Sequence, residues 1–170
     1  LLFGFIGVSL IASSVYAESA SPEVVTYAKN VLAAHGSDPV IVQAVESENS
    51  KGKSLDEIQS VDKLWMETSG ISDFMKTILD NPCAARLQEI KNSNKSIVEI
   101  FVTDNQGANV AMTDKTSDYW QGDEARFVNS FAAGKGEVYL SDVNFDESTQ
   151  TYVVQVSVPV KNSAGAVGTI

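Results

Sequence analysis

A single cysteine and a single histidine in 170 residues remove much of the chemistry a small protein can carry. With Cys83 alone no internal disulfide forms, so stability rests on the core. Cys83 reads as a small buried helix residue, because the cation that would activate its thiol could come only weakly from Arg86, one turn on. His35 stands beside Gly36 in a helix-stop pattern and reads as a cation at a helix C-terminus. No Gly-x-Ser-x-Gly elbow accompanies it, so a Ser-His-Asp triad lacks support. One His and one Cys likewise leave zinc without ligands. No metal, no cofactor and no enzymatic activity are expected. Basic residues are scarce as well: 12 Lys and Arg against 22 Asp and Glu give a net charge of −10. With no basic run anywhere, nucleic acid and anionic lipid are excluded as partners.

Long apolar runs are missing, and Leu1 to Ala12 falls short of the roughly 20 residues that a spanning helix needs. Ser13-Ser14-Val15-Tyr16-Ala17 follows it with the small residues of a signal-peptidase site. Residues 1–17 therefore read as a signal peptide, with a membrane anchor as the alternative. The opening Leu implies that the charged start of such a signal lies upstream, and the lack of a cysteine at the junction excludes lipid attachment there. Residues 18–170 are then one domain, periplasmic or secreted and not membrane-spanning once the signal is removed.

What is present divides into a helical half, residues 21–92, and a sheet half, 97–170. Three of the four prolines mark helix starts. Ser21-Pro22, Ser37-Asp38-Pro39 and Asn81-Pro82 each pair an acceptor at the N-cap with a residue that needs no N–H in the first turn. The first of these helices stops at His35-Gly36, the second runs to about Glu48 and the third to about Ile90. Between them, Ser54-Leu55-Asp56-Glu57 is a capping box ahead of Ile58, Val61, Leu64 and Trp65. Gly70 then separates that helix from a short apolar face of Ile71, Phe74, Met75 and Ile78.

Strand patterns cover Ile97–Thr103, Ala108–Met112, Glu137–Val143 and Thr151–Val160, with a turn at Asp104-Asn105-Gln106-Gly107. Alternation puts Val98, Ile100 and Val102, and Tyr152, Val154, Val156, Val158 and Val160, on the face toward the helices. The opposite face is mixed: Ile97, Glu99, Phe101 and Thr103, with Val153, Gln155, Ser157 and Pro159. A proline near the end of a strand predicts an edge, a bulge or a local departure. Asp142-x-Asn144-x-Asp146 matches the first positions of a calcium loop. It lacks the Gly and the closing Glu, so Asn144–Gln150 is more economically a polar hairpin loop.

The strand ending in VTDNQGANVAMT, the segment DYWQGDEARF, the pair VYLSDVNFDESTQTYVVQVSVPV and the closing NSAGAVGTI together resemble the Cache, or PDC, extracellular sensor family, distant relatives of PAS. That resemblance implies an α+β fold: a central antiparallel sheet, N-terminal helices packed on one face and a small-molecule pocket on the other. It implies ligand contacts from Tyr119, Trp120 and Arg126 of the loop, over Glu99, Phe101, Tyr139, Gln155 and Ser157, with Asp142 holding a ligand amine. Aromatic walls with one cation and one anion suit an amino acid or a small carboxylate. The alternative is that Tyr119 and Trp120 form a satellite core and Arg126 pairs with Asp123 or Asp142. Two departures from the family stand out. The sequence stops at Ile170 inside the last expected strand, leaving that strand truncated or a sheet edge unpaired, and it shows no transmembrane helix or output domain after the sheet. The function implied is an exported sensor module that binds a small polar ligand and feeds a membrane receptor or sensor kinase. The competing reading is an interaction protein whose pocket its own side chains fill.

Overall fold

A computed structural model describes residues 19–146 and 150–170; the expected signal peptide lies outside the described residues. Helix starts follow the caps. Ser21, Asp38, Ser54, Ser72 and Asn81 each accept a backbone N–H with the side chain, opening α1 (Pro22–Asn30), α2 (Pro39–Ser50), α3 (Leu55–Glu67), α4 (Asp73–Leu79) and α5 (Pro82–Ser93). At α3 the capping box is complete, since the Glu57 carboxylate also accepts from the Ser54 N–H. Between α1 and α2 the chain tightens into a 3-10 turn over Leu32–Ser37.

The sheet half is more broken than its sequence pattern. A four-stranded antiparallel sheet has the order β2 (Asn109–Met112), β1 (Phe101–Thr103), β8 (Gly165–Thr169), β7 (Pro159–Asn162). After β2 comes α6 (Ala125–Phe131), then two small pairs: β3 (Tyr139–Leu140) with β6 (Val156–Ser157), and β4 (Asn144–Asp146) with β5 (Thr151–Val153). The fold is α+β, as expected from the order of elements.

Three strand expectations are corrected. Ile97–Ile100 leave the ladder, the last rung being Ile100 with Thr113, and line a cleft instead. Thr151–Val160 is not one strand but parts of β5, β6 and β7, each paired to a different partner. Tyr152 accordingly faces outward, while Ser157 and Pro159 are buried. Asn144–Asp146 is not loop but the strand β4. The last strand, β8, pairs with β7 along its length and with β1 at Thr103–Thr169. Pro159 begins the edge strand β7, next to a register shift at Val160–Lys161, which meets the expectation for a strand proline.

Apolar side chains gather in two clusters. Ile41, Val45, Cys83, Leu87, Val102, Val110 and Val160 close the space between α2, α5 and one sheet face. Ile58, Trp65, Met75, Ile78, Met112 and Tyr119 fill a second, under the segment after β2. Burial pushes the Cys83 thiol up to about 12, so it stays an unreactive core group. His35 departs from the cation expected of it. Burial and the nearby Arg86 lower its proton affinity, so the imidazole is neutral at pH 7.

Candidate binding site

The site is organised by the turn Asp104–Gly107 and the segment 113–127 that packs over it. Asp104 is buried, and its Oδ1 accepts from the N–H groups of Gln106 and Ala108, while its other oxygen lies 3.3 Å from Lys53 Nζ. Gly107 completes the turn at a φ of +87°, and a Cβ there would lie 2.5 Å from the Gly122 backbone. Lys53 also reaches the Tyr119 hydroxyl at 3.1 Å and Glu48 at 3.3 Å. Burial disfavours its charge, but Tyr119, Asp104 and Glu48 more than offset this and its proton is held unusually tightly.

Segment 113–121 is fastened to the sheet as an extra rung. Asn109 N–H donates to Tyr119 O, and Gln121 N–H donates to Gly107 O. One oxygen of Asp62, on α3, accepts from both Tyr119 N–H (2.7 Å) and Trp120 N–H (2.9 Å). Asn109 Nδ2 donates to the Thr116 hydroxyl, which donates to Asp118 O. The buried Gln121 amide then donates to the Asp118 carboxylate (2.6 Å) and backbone carbonyl (3.1 Å). With both N–H bonds directed there, its Oε1 is free to accept from the Arg126 guanidinium, and it does.

Arg126 is the guanidinium of the site, where Lys95 and Lys115 also line the cleft. It stands in the first turn of α6, 19% exposed, with its guanidinium carbon 5.5 Å from the centre of the Phe101 ring and Nη1 3.8 Å from Glu124. Its Nε is buried with no hydrogen-bond partner, an arrangement that costs free energy unless another group supplies an acceptor. The cleft beside it has a volume of about 1400 Å³ and is walled by residues 94–101, 115–118 and 151–158, with Val24, Leu32 and His35 also in its lining.

Three residues singled out from the sequence line this cleft: Phe101, Arg126 and Gln155, together with Glu99 and Ser157. Four do not. Tyr119 is turned inward by the Asp62 and Asn109 bonds on its backbone and packs 5.7 Å from Trp65 and 5.5 Å from Phe74, ring centre to ring centre. Trp120 donates its indole N–H to Gln106 O at 2.8 Å and covers the turn. Tyr139 pairs with Ser157 in β3 without reaching the cleft wall. Asp142 is exposed, and its carboxylate accepts from Ser19 Oγ at 3.3 Å. Arg126 is paired with Gln121 and Glu124 rather than with Asp123 or Asp142. Gln121, Asp118 and Asp62 were not among the residues read from the sequence, because their roles depend on bonds spanning 57 or more positions or on a loop that takes shape only when fastened. Among the described residues no group of three or more His, Cys, Asp or Glu could hold a metal ion. Among them, too, no helix is long and apolar enough to cross a membrane.

No protein-family model matches the chain, and no curated protein does. Among solved structures it is similar to the sensor domain of the V. cholerae histidine kinase DctB, at 14% identity and a TM-score of 0.40, over 86% of this chain and 48% of that one. It is also similar to the ligand-binding domain of the Campylobacter jejuni chemoreceptor Tlp3. The structure with L-valine gives 14% identity and a TM-score of 0.40, over 88% of this chain and 62% of that one. The one with 4-methylisoleucine gives 14% and 0.42, over 89% and 61%. The chain thus spans between about half and three-fifths of these matched chains. These neighbours are sensor and ligand-binding domains.

Proposed function

We propose that the chain is a sensor-type binding module, exported to the periplasm or secreted, whose cleft holds a small polar molecule by a carboxylate at Arg126. The observation that carries this is the guanidinium itself. It is held in place by Gln121 and the Phe101 ring, borders a large cleft and keeps one buried donor without an acceptor. A planar fork of donors suits a carboxylate, and Gln155 and Ser157, which also line the cleft, offer further polar contacts. Binding rather than catalysis is supported by Cys83, a buried thiol of raised pKa. A membrane receptor or sensor kinase is the partner that such a module would address.

A melting-temperature screen with amino acids and small carboxylates tests the reading. A ligand at about 100 times its dissociation constant stabilises by about 2.7 kcal/mol, a shift of about 5–10 °C for a chain of this size. Arg126→Ala should abolish the shift, and Arg126→Lys, which keeps the charge but loses the fork, should restore only part of it. A shift unchanged in Arg126→Ala would overturn the assignment. No shift with any compound would favour an interaction protein, a reading supported by Tyr119 packing into the core and by the exposed Leu64 and Met66 of α3.

A further inference from the structure

The cleft is larger than a small polar molecule needs. At about 1400 Å³ it exceeds the roughly 300–1000 Å³ of ordinary small-molecule sites, and its walls differ in character. Around Arg126 they are polar. Elsewhere they include Val24, Leu32, Val98 and the hairpin β4–β5. That hairpin pairs with no other strand, and a two-stranded hairpin is marginal without a face to bury. Its facing residues Phe145 and Tyr152 have ring centres 5.3 Å apart, both line the cleft, and they are 50% and 72% exposed. Val98, itself 41% exposed on the cleft wall, precedes Phe101 by three residues. Extended chain of that length spans at most about 10 Å, so Val98 lies no farther than that from the Phe101 backbone.

We infer that the cleft takes an amphipathic monocarboxylate, with the carboxylate at Arg126 and an alkyl or aryl-alkyl body laid over Val98, Phe145 and Tyr152. The inference rests on the binding reading above and narrows it from small polar molecules to longer ones with one charged end. Asp118 also lines the cleft, with its Oδ1 accepting from Gln121 and Ser117. The hairpin would gain in the complex the buried face that it lacks alone.

Calorimetric titration of the protein with butyrate, octanoate and octanol tests this. Each methylene seated on an apolar wall is worth up to about fourfold in affinity, so octanoate should bind at least about tenfold more tightly than butyrate. Phe145→Ala and Tyr152→Ala, both at exposed positions, should bring octanoate toward butyrate, and Arg126→Ala should weaken both acids. Equal affinity for the two acids, or hairpin variants that leave the octanoate advantage whole, would overturn the inference while the carboxylate reading stands. No binding of either acid, titrations unchanged by Arg126→Ala, or octanol equalling octanoate would overturn that reading and the inference with it.

Discussion

Asp62 is the residue on which the site's geometry can be tested without any ligand. Its Oδ1 takes two backbone donors, Tyr119 N–H and Trp120 N–H, and so joins α3 to the segment that carries Gln121 and leads to Arg126. Hydrogen bonds to a charged group contribute about 1.5–3 kcal/mol each. Because Asp62 is only half-buried and its two bonds share one oxygen, the lower end applies, and Asp62→Ala should cost about 3 kcal/mol. For a chain of this size that is a fall of about 6–12 °C in melting temperature. Asp62→Asn keeps an acceptor of the same shape and loses only the charge, so its cost should be about 1 kcal/mol. Urea denaturation of the two variants separates the contributions, with an unchanged slope showing that the folded state is otherwise intact. Equal losses for Asn and Ala would show that charge rather than the acceptor governs. A loss below about 1 kcal/mol for Ala would show that the segment is held by the Asn109 and Gly107 bonds alone.

Two further predictions concern the frame. A Cβ at Gly168 would lie 2.1 Å from the Thr103 carbonyl oxygen, so Gly168→Ala must push β8 from β1 at a cost of about 3 kcal/mol or more; a denaturation midpoint unchanged by the substitution would refute the placement of β8 between β1 and β7. In acid, Asp38 is the group to watch: burial works against its charge, but Arg86 and the Val40 N–H more than offset this and hold its pKa below 3.8. A folded value below the unfolded one gives stability that is present above about pH 4 and is lost as pH falls through the folded value. Arg86→Ala should flatten that part of the curve, and a slope between pH 2 and 4 equal to that of the parent protein would show that the pair contributes nothing.

How much of this was legible depended on how local each cause is. Helix starts need an acceptor, a proline or a capping box within four residues, and Ser21, Asp38, Ser54 and Asn81 all act where the sequence places them. Arg126 was singled out through the resemblance of its segment to the sensor family, and it lines the cleft. Tyr119 was misplaced because its direction is decided by Asp62, 57 residues earlier, and by the rung to Asn109. No reading of DYWQGDEARF contains that information.

The strand 151–160 failed for a different reason, and the failure bears on function. Its period-two pattern is real, but a pattern fixes which side chains share a face only while one partner strand persists. Here the partner changes twice, from β4 to β3 to β8. At Val154 and Gln155, between the first two partners, the chain leaves regular strand structure while Gln155 still holds Ser141 through backbone and side-chain bonds. An unbroken strand would continue the β7 pairing outward and leave the region beside Phe101 covered by sheet. The breaks instead send β5 off with the Phe145–Tyr152 hairpin and turn Gln155 and Ser157 toward the space that Arg126 borders. The departure from ideal strand geometry is therefore what opens the cleft, and under the proposed binding function it is where local rules yield to function.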